Sequence, residues 1–146
     1  WKSLYSGELT ESDVNAIVPV VQAAPSHRCS VLIAHLHGAF AEARPETSAF
    51  PLRQARFGVL FAARWPAAAS DAENIGWVRN GYAKLDPSDS KPVYANYALP
   101  QDARAASAFS PDAQQRLRNL RTRHDPPLLA RRPGAMQSAY HQGARQ

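Results

Sequence analysis

Side chains capable of chemistry are sparse in this chain of 146 residues. His35 and His37 stand two apart at the end of an apolar run, Cys29 to Leu36, that reads as a strand buried on both faces. Strand residues i and i+2 share a face, so the pair can chelate a metal, but no spacing in the chain supplies a third ligand. Cys29 and His35 would make a nucleophile and its base, yet they lie too far apart along one strand at ~3.3 Å per residue. Cys29 reads instead as a small buried hydrophobe. Residues 93–102, "VYANYALPQD", read as a short strand running into a proline turn, with Tyr94 and Asn96 on one face and Tyr97 on the other. Asn disfavours strands and a buried amide needs partners, so this pattern alone describes a polar-faced edge strand. No carboxylate pair sits in an apolar context, and G-x-G-x-x-G, P-loop and G-x-S-x-G signatures are absent.

The length corresponds to one domain with a real core. Twelve prolines argue for many loops and against a long helical bundle. Net charge is +5, and fourteen of the seventeen basic residues are Arg, a side chain suited to bidentate pairing with carboxylate or phosphate. Arg116, Arg118, Arg121 and Arg123 cluster, followed by Arg131 and Arg132, but no aromatic interleaves with them. They read as a solvated helix face before a nucleic-acid patch. The single cysteine excludes an internal disulfide framework. No apolar run is long enough to span a membrane, and no basic-then-apolar leader is present, so a soluble chain of open compartment is expected. The chain opens on Trp1, as a processed protein or a piece of a longer one would.

Positioning elements follow from periodicity. Thr10-Glu11-Ser12-Asp13 resembles a capping box, and Val14, Ile17, Val18 and Val21 form one helix face behind it, kinked or shortened at Pro19. Gly38-Ala39 ends the first strand, and residues 41–54 read as a loop. In "RFGVLFAARW" at 56–65, Phe57, Val59, Phe61, Ala63 and Trp65 alternate with Arg56, Gly58, Leu60, Ala62 and Arg64, which predicts a strand packed on one face. Ser70-Asp71-Ala72-Glu73 is a capping box for a helix with Ile75, Val78, Tyr82 and Leu85 on its stripe, stopped at Asp86-Pro87. Ser110-Pro111 opens a last helix whose buried stripe is Ala113, Leu117 and Leu120. The tail from 131 is polar and expected to be mobile. The order predicts an α+β domain with a mostly antiparallel sheet covered on one face by helices.

Several stretches, in order, resemble flavin-dependent oxidases of the berberine bridge enzyme type, within the vanillyl-alcohol oxidase-like flavoproteins. "HLHGAF" at 35–40 is similar to their "h-x-G-G-A" segment, with His37 in place of the first Gly and Gly38 kept. "SAFPLRQARF" at 48–57 is similar to "T-A-F-x-x-R-x-A-x-F". "DAENIGWVRNGYAKLDP" at 71–87 resembles the helix with "N-x-x-W-x-R" and its following proline. "VYANY" at 93–97 stands where the family has "x-Y-x-N-Y", and "RLRNLRTRHDP" at 116–126 resembles "R-L-x-x-L-K-x-K-Y-D-P". Beyond Asp125-Pro126, Arg131 matches the family, but Pro133 and Ala135 replace two asparagines.

The resemblance implies a partial substrate domain over residues 1–92, a C-terminal berberine-bridge-type segment over 93–130 and a mobile tail over 131–146. It implies FAD as cofactor, held by an N-terminal flavin-binding domain whose phosphate loop and flavin-attachment residues do not occur here. It further implies Tyr94 as general base, Asn96 and Tyr97 toward the flavin, and Arg56, Leu60 and Arg64 toward a small-molecule substrate. The function expected is that of a C-terminal fragment of an oxidoreductase acting on an alcohol, sugar or C–H bond, with oxygen as acceptor, inactive by itself. A non-catalytic module docking on a separate flavin-binding partner is the alternative. A nucleic-acid binder built on the 116–132 arginines is a second.

Overall fold

A computed structural model of the chain describes residues 1–44, 50–98, 102, 104–105 and 108–124. The order is β1 (Lys2–Ser6), α1 (Glu11–Gln22), β2 (Ser30–His35), a single turn α2 (Ala39–Glu42), β3 (Phe57–Ala62), α3 (Asp71–Leu85) and α4 (Pro111–His124). The three strands form one antiparallel sheet in the order β1-β3-β2. This is the expected α+β class. The expected tail at 131–146, and the end of the 93–130 segment past 124, lie outside the described residues.

Register decides which residues face the core. Leu4 lies opposite Val59 and Lys2 opposite Phe61, while Val31 and Ile33 flank β3 on its other side. Leu4, Val59 and Phe61 are buried against Ile17 and Val20 of α1 and Trp77, Val78, Tyr82 and Leu85 of α3. Phe61 is fully buried. The expected strand at 56–65 is shorter, Phe57–Ala62, and within it alternation puts Val59 and Phe61 against the helices.

α1 begins with the capping box: Thr10 Oγ1 accepts from Asp13 N–H at 3.2 Å, and Thr10 N–H donates to Asp13 Oδ2 at 2.9 Å. Its buried residues are Ile17 and Val20, and Val14, Val18 and Val21 are exposed, so the helix is rotated from the expected face. The reason is an anchor on α3. Trp77 Nε1 donates at 2.8 Å to Val20 O, one of the last-turn carbonyls that no helical N–H can reach. Pro19 sits inside the helix without ending it.

Other expectations are corrected. β2 is not buried on both faces; it is an edge strand, with Leu32 at 58% and Ile33 at 44% exposure. The Ser70 box does not close: a 3-10 turn at Ala68–Ser70 leads straight into α3, leaving Ser70 at φ −97, ψ 6, with no side-chain cap. Ile75 is exposed and Asn74 takes the buried position, its amide donating to Ser70 O at 2.9 Å and its carbonyl accepting from Cys29 Sγ at 3.5 Å. α4 starts as expected, with Ser110 Oγ accepting from Ala113 N–H at 3.2 Å. No residue of α4 is buried, however, and Leu120 is half exposed. β1 was not expected at all.

The predicted strand at 93–97 is instead a 3-10 turn over Ala95–Tyr97. At three residues per turn, positions i and i+3 eclipse. Tyr94 and Tyr97 therefore converge on one side, with ring centroids 5.8 Å apart, where a strand would have sent them to opposite faces.

Candidate functional site

Helices cover one face of the sheet. On the other face, alternation brings up Ser3 and Tyr5 from β1, Gly58 and Leu60 from β3, and Leu32 and Ala34 from β2. Together with Tyr97 these residues line a shallow groove of about 80 Å³. Leu32, Ala34 and Leu60 give it an apolar floor. Gly58 makes room for an aromatic wall: a Cβ there would lie 3.0 Å from the Tyr5 ring.

The 92–98 segment is tied along the outer edge of β1. Tyr5 N–H donates to Pro92 O at 3.1 Å, and Trp1 Nε1 donates to Tyr97 O at 3.1 Å. An aromatic cluster results. Tyr94 meets Tyr5 edge-on at 6.4 Å and Phe50 edge-on at 5.1 Å between centroids. Asn96 Nδ2 donates to the Tyr94 hydroxyl at 2.9 Å. Burial, then the neighbouring Tyr97 and Tyr94 phenols, push Tyr5 up to about 12. Among the described residues the Tyr5 hydroxyl has no hydrogen-bond partner. Ser3 Oγ is buried and likewise has none.

The expected site residues divide. Tyr94, Asn96 and Tyr97 come together in one turn, but only Tyr97 reaches the groove wall; Tyr94 stands behind it, half-buried. Leu60 lies in the groove floor. Arg56 and Arg64 are exposed beyond the two ends of β3 and do not line the groove. Ser3 and Tyr5 were missed because β1 was missed. The alternation in "KSLYS", with Leu4 between Ser3 and Tyr5, was the available signal.

His35 and His37 lie with rings 4.7 Å apart, and His35 stacks on Phe57 at 4.9 Å. No group of three or more His, Cys, Asp or Glu that could hold a metal occurs among the described residues. No described helix is long and apolar enough to cross a membrane.

A second tyrosine cluster lies at the far end of α3. The Tyr82 hydroxyl sits 2.6 Å from Asp86 Oδ2 and 2.8 Å from Asp89 Oδ1, to which it offers its one proton, and accepts from Arg104 Nη1 at 2.6 Å. Asp86 also accepts from Ser90 N–H at 3.0 Å and Lys91 N–H at 2.8 Å. Arg104 pairs with Asp102 at 2.7 Å, and Lys2 pairs with Asp89 at 3.1 Å. Burial alone would raise the Asp86 carboxyl, but the hydrogen bonds from Tyr82, Lys91 and Ser90 outweigh it and hold it below the usual range. Burial and the two carboxylates push the Tyr82 phenol up. Asp89 holds a left-handed backbone, φ 53, fixed by these contacts.

No family model matches the chain, and no curated protein matches it in sequence. Among solved structures, the fold is similar to that of a glycopeptide hexose oxidase crystallised in complex with teicoplanin, with a TM-score of 0.68 at 19% identity. The match covers 86% of this chain and 29% of that one, so the chain spans under a third of its structural neighbour's length.

Proposed function

We propose that this chain is the C-terminal part of the substrate side of an FAD-dependent oxidoreductase, its open sheet face turned toward the flavin. Residues 1–92 belong to the substrate domain and residues from 93 to the berberine-bridge-type segment. The substrate is a small molecule carrying an alcohol or sugar hydroxyl, or an activated C–H bond, and oxygen takes up the electrons. Support comes from the ordered resemblance of residues 30–126 to berberine bridge enzyme-type oxidases and from the likeness of fold to a glycopeptide hexose oxidase.

The residues present fit one side of a flavin rather than its tether. A flat apolar floor rimmed by the Tyr5 and Tyr97 phenols suits a planar ring and a hydroxylated substrate. A groove of about 80 Å³ without charged lining does not cradle a dinucleotide, so a separate flavin-binding domain holds the cofactor. When bound, the flavin accepts hydride. This chain's residues do the rest. Tyr94, just behind the Tyr97 wall, takes the substrate hydroxyl proton as its phenolate, the form that the Asn96 amide stabilises by donating to the same oxygen. Tyr97 closes the groove wall, Leu60 supports the substrate from below, and Arg56 and Arg64 attract it from the ends of β3.

The observation that carries this reading is the Asn96–Tyr94 hydrogen bond within a turn that also places Tyr97 on the groove. The test is oxygen consumption with hexose and alcohol substrates by the full-length protein containing this chain. Tyr94→Phe is expected to lower kcat by about 10²-fold or more, the scale of a lost general base. A full-length protein that purifies without flavin, or a Tyr94→Phe enzyme within threefold of wild type, would overturn it.

A further inference from the structure

The two hydroxyls on the groove face of β1 are not used by the fold. Ser3 is 2% exposed, and its Oγ has no hydrogen-bond partner. A buried hydroxyl without a partner carries a desolvation cost that folding alone does not repay. Tyr5, one pleat along the same face, makes no hydrogen bond through its hydroxyl among the described residues, and that hydroxyl reaches solvent at the groove. Both residues line the same groove.

Chemistry narrows what completes them. A serine or tyrosine hydroxyl both donates and accepts, and another hydroxyl matches both capacities. No charged side chain lines the groove, so an anion or cation would enter without a counter-charge. Leu32, Ala34 and Leu60 offer C–H surface to an apolar ring face. The volume, about 80 Å³, takes one edge of a sugar ring rather than a whole disaccharide.

We propose that Ser3 and Tyr5 form a hydroxyl-reading subsite that seats an uncharged polyol, a pyranose or its like, edge-on against the Leu32–Leu60 floor. The subsite deepens the oxidase reading and rests on it for which face meets substrate. Its residues select the substrate; they do not carry the proton transfer given to Tyr94.

The test is calorimetric binding of methyl α-D-glucopyranoside and its singly deoxygenated analogues to the full-length protein, alongside thermal melting. Ser3→Ala is expected to raise Kd about fivefold to tenfold, and one deoxy analogue is expected to bind wild type and Ser3→Ala alike. The same variant is expected to melt higher than wild type when unliganded, because it removes an unsatisfied group. Tyr5→Phe gives an independent second reading and is expected to weaken binding by a similar factor. The subsite is overturned by absence of saturable binding, by Kd values within twofold for both variants, or by a lower melting temperature of unliganded Ser3→Ala. Binding that follows this pattern in a protein without oxidase turnover would sink the oxidase reading and leave the subsite standing.

Discussion

Two tyrosine clusters sit on opposite sides of one sheet and are built on opposite rules. Around Tyr82, every hydroxyl capacity is taken: the phenol gives its proton to a carboxylate and receives one from Arg104, and Asp86 is bracketed by backbone N–H groups. Around Tyr5, the rings pack on one another, the buried Ser3 hydroxyl goes unanswered, and no described group bonds the Tyr5 hydroxyl. The first cluster holds the end of α3 to β1 and to the chain beyond it. The second is held in place by others and has bonding capacity to spare. A satisfied polar network buys rigidity, and an unsatisfied one on an open face is where a ligand gains most.

The sharpest way to break this contrast is Asp86→Ala. It strands the Ser90 and Lys91 N–H groups and takes one of three partners from the Tyr82 hydroxyl, and a loss of about 3 kcal/mol in denaturant unfolding is expected. A loss below about 1 kcal/mol would make the network ornamental.

Matched phenol deletions come next. Tyr82→Phe is expected to cost about 1–2 kcal/mol, and Tyr5→Phe less than about 0.5 kcal/mol, since only the first breaks hydrogen bonds within the fold. Equal costs would erase the distinction between the clusters.

Of the two clusters, acid should find only the one around Tyr82, which holds the carboxylates. Asp86, Asp89 and Asp102 are all held below their ordinary values, so the folded state binds fewer protons than the unfolded one. Their stabilisation is present above the unfolded carboxylate range near ~4 and is lost as pH falls through the depressed folded values. Melting curves of wild type and Asp86→Asn should converge as pH falls below ~4. Parallel curves would count against this.

The smallest signal is at high pH. Tyr5, raised to about 12, and Tyr82, raised further, keep their protons in the folded state after an unfolded phenol has lost its own. Stability should decline from pH ~10 upward, and phenolate absorbance of Tyr5→Phe should lack one late-titrating group.

The legible parts of this fold were those where one physical signal dominated. β3 sends Val59 and Phe61 to one face and Gly58 and Leu60 to the other, and Thr10, Pro111 and Asp86 mark helix ends by local chemistry that tertiary contacts reinforce. What escaped needed knowledge of partners. Valines recur so often in α1 that two faces look apolar, and only the Trp77 bond to Val20 selects one. The Cys29–Leu36 run looks doubly buried because its side chains are apolar, yet burial depends on a neighbour strand that β2 lacks among the described residues. The Tyr-x-Asn-Tyr run suits a strand at period two and a 3-10 turn at period three, and the edge of β1 decides for the turn. Of the groove lining, Leu60 and Tyr97 were named from the sequence, but Ser3 and Tyr5 were not, because a five-residue strand with one aliphatic side chain leaves almost no pattern.

Gly81 carries a consequence for how this chain can vary. A methyl there would lie 2.8 Å from both Phe61 Cδ1 and Val20 Cγ1, at the crossing of α3 with α1 and the sheet. The three positions therefore share one fixed volume. Val20, Phe61 and Gly81 cannot drift independently: a larger residue at 81 is admissible only with a smaller one at 20 or 61. In any lineage carrying this fold, these three sites should change as a set, and the helix spacing that shapes the far side of the sheet would survive only where they had.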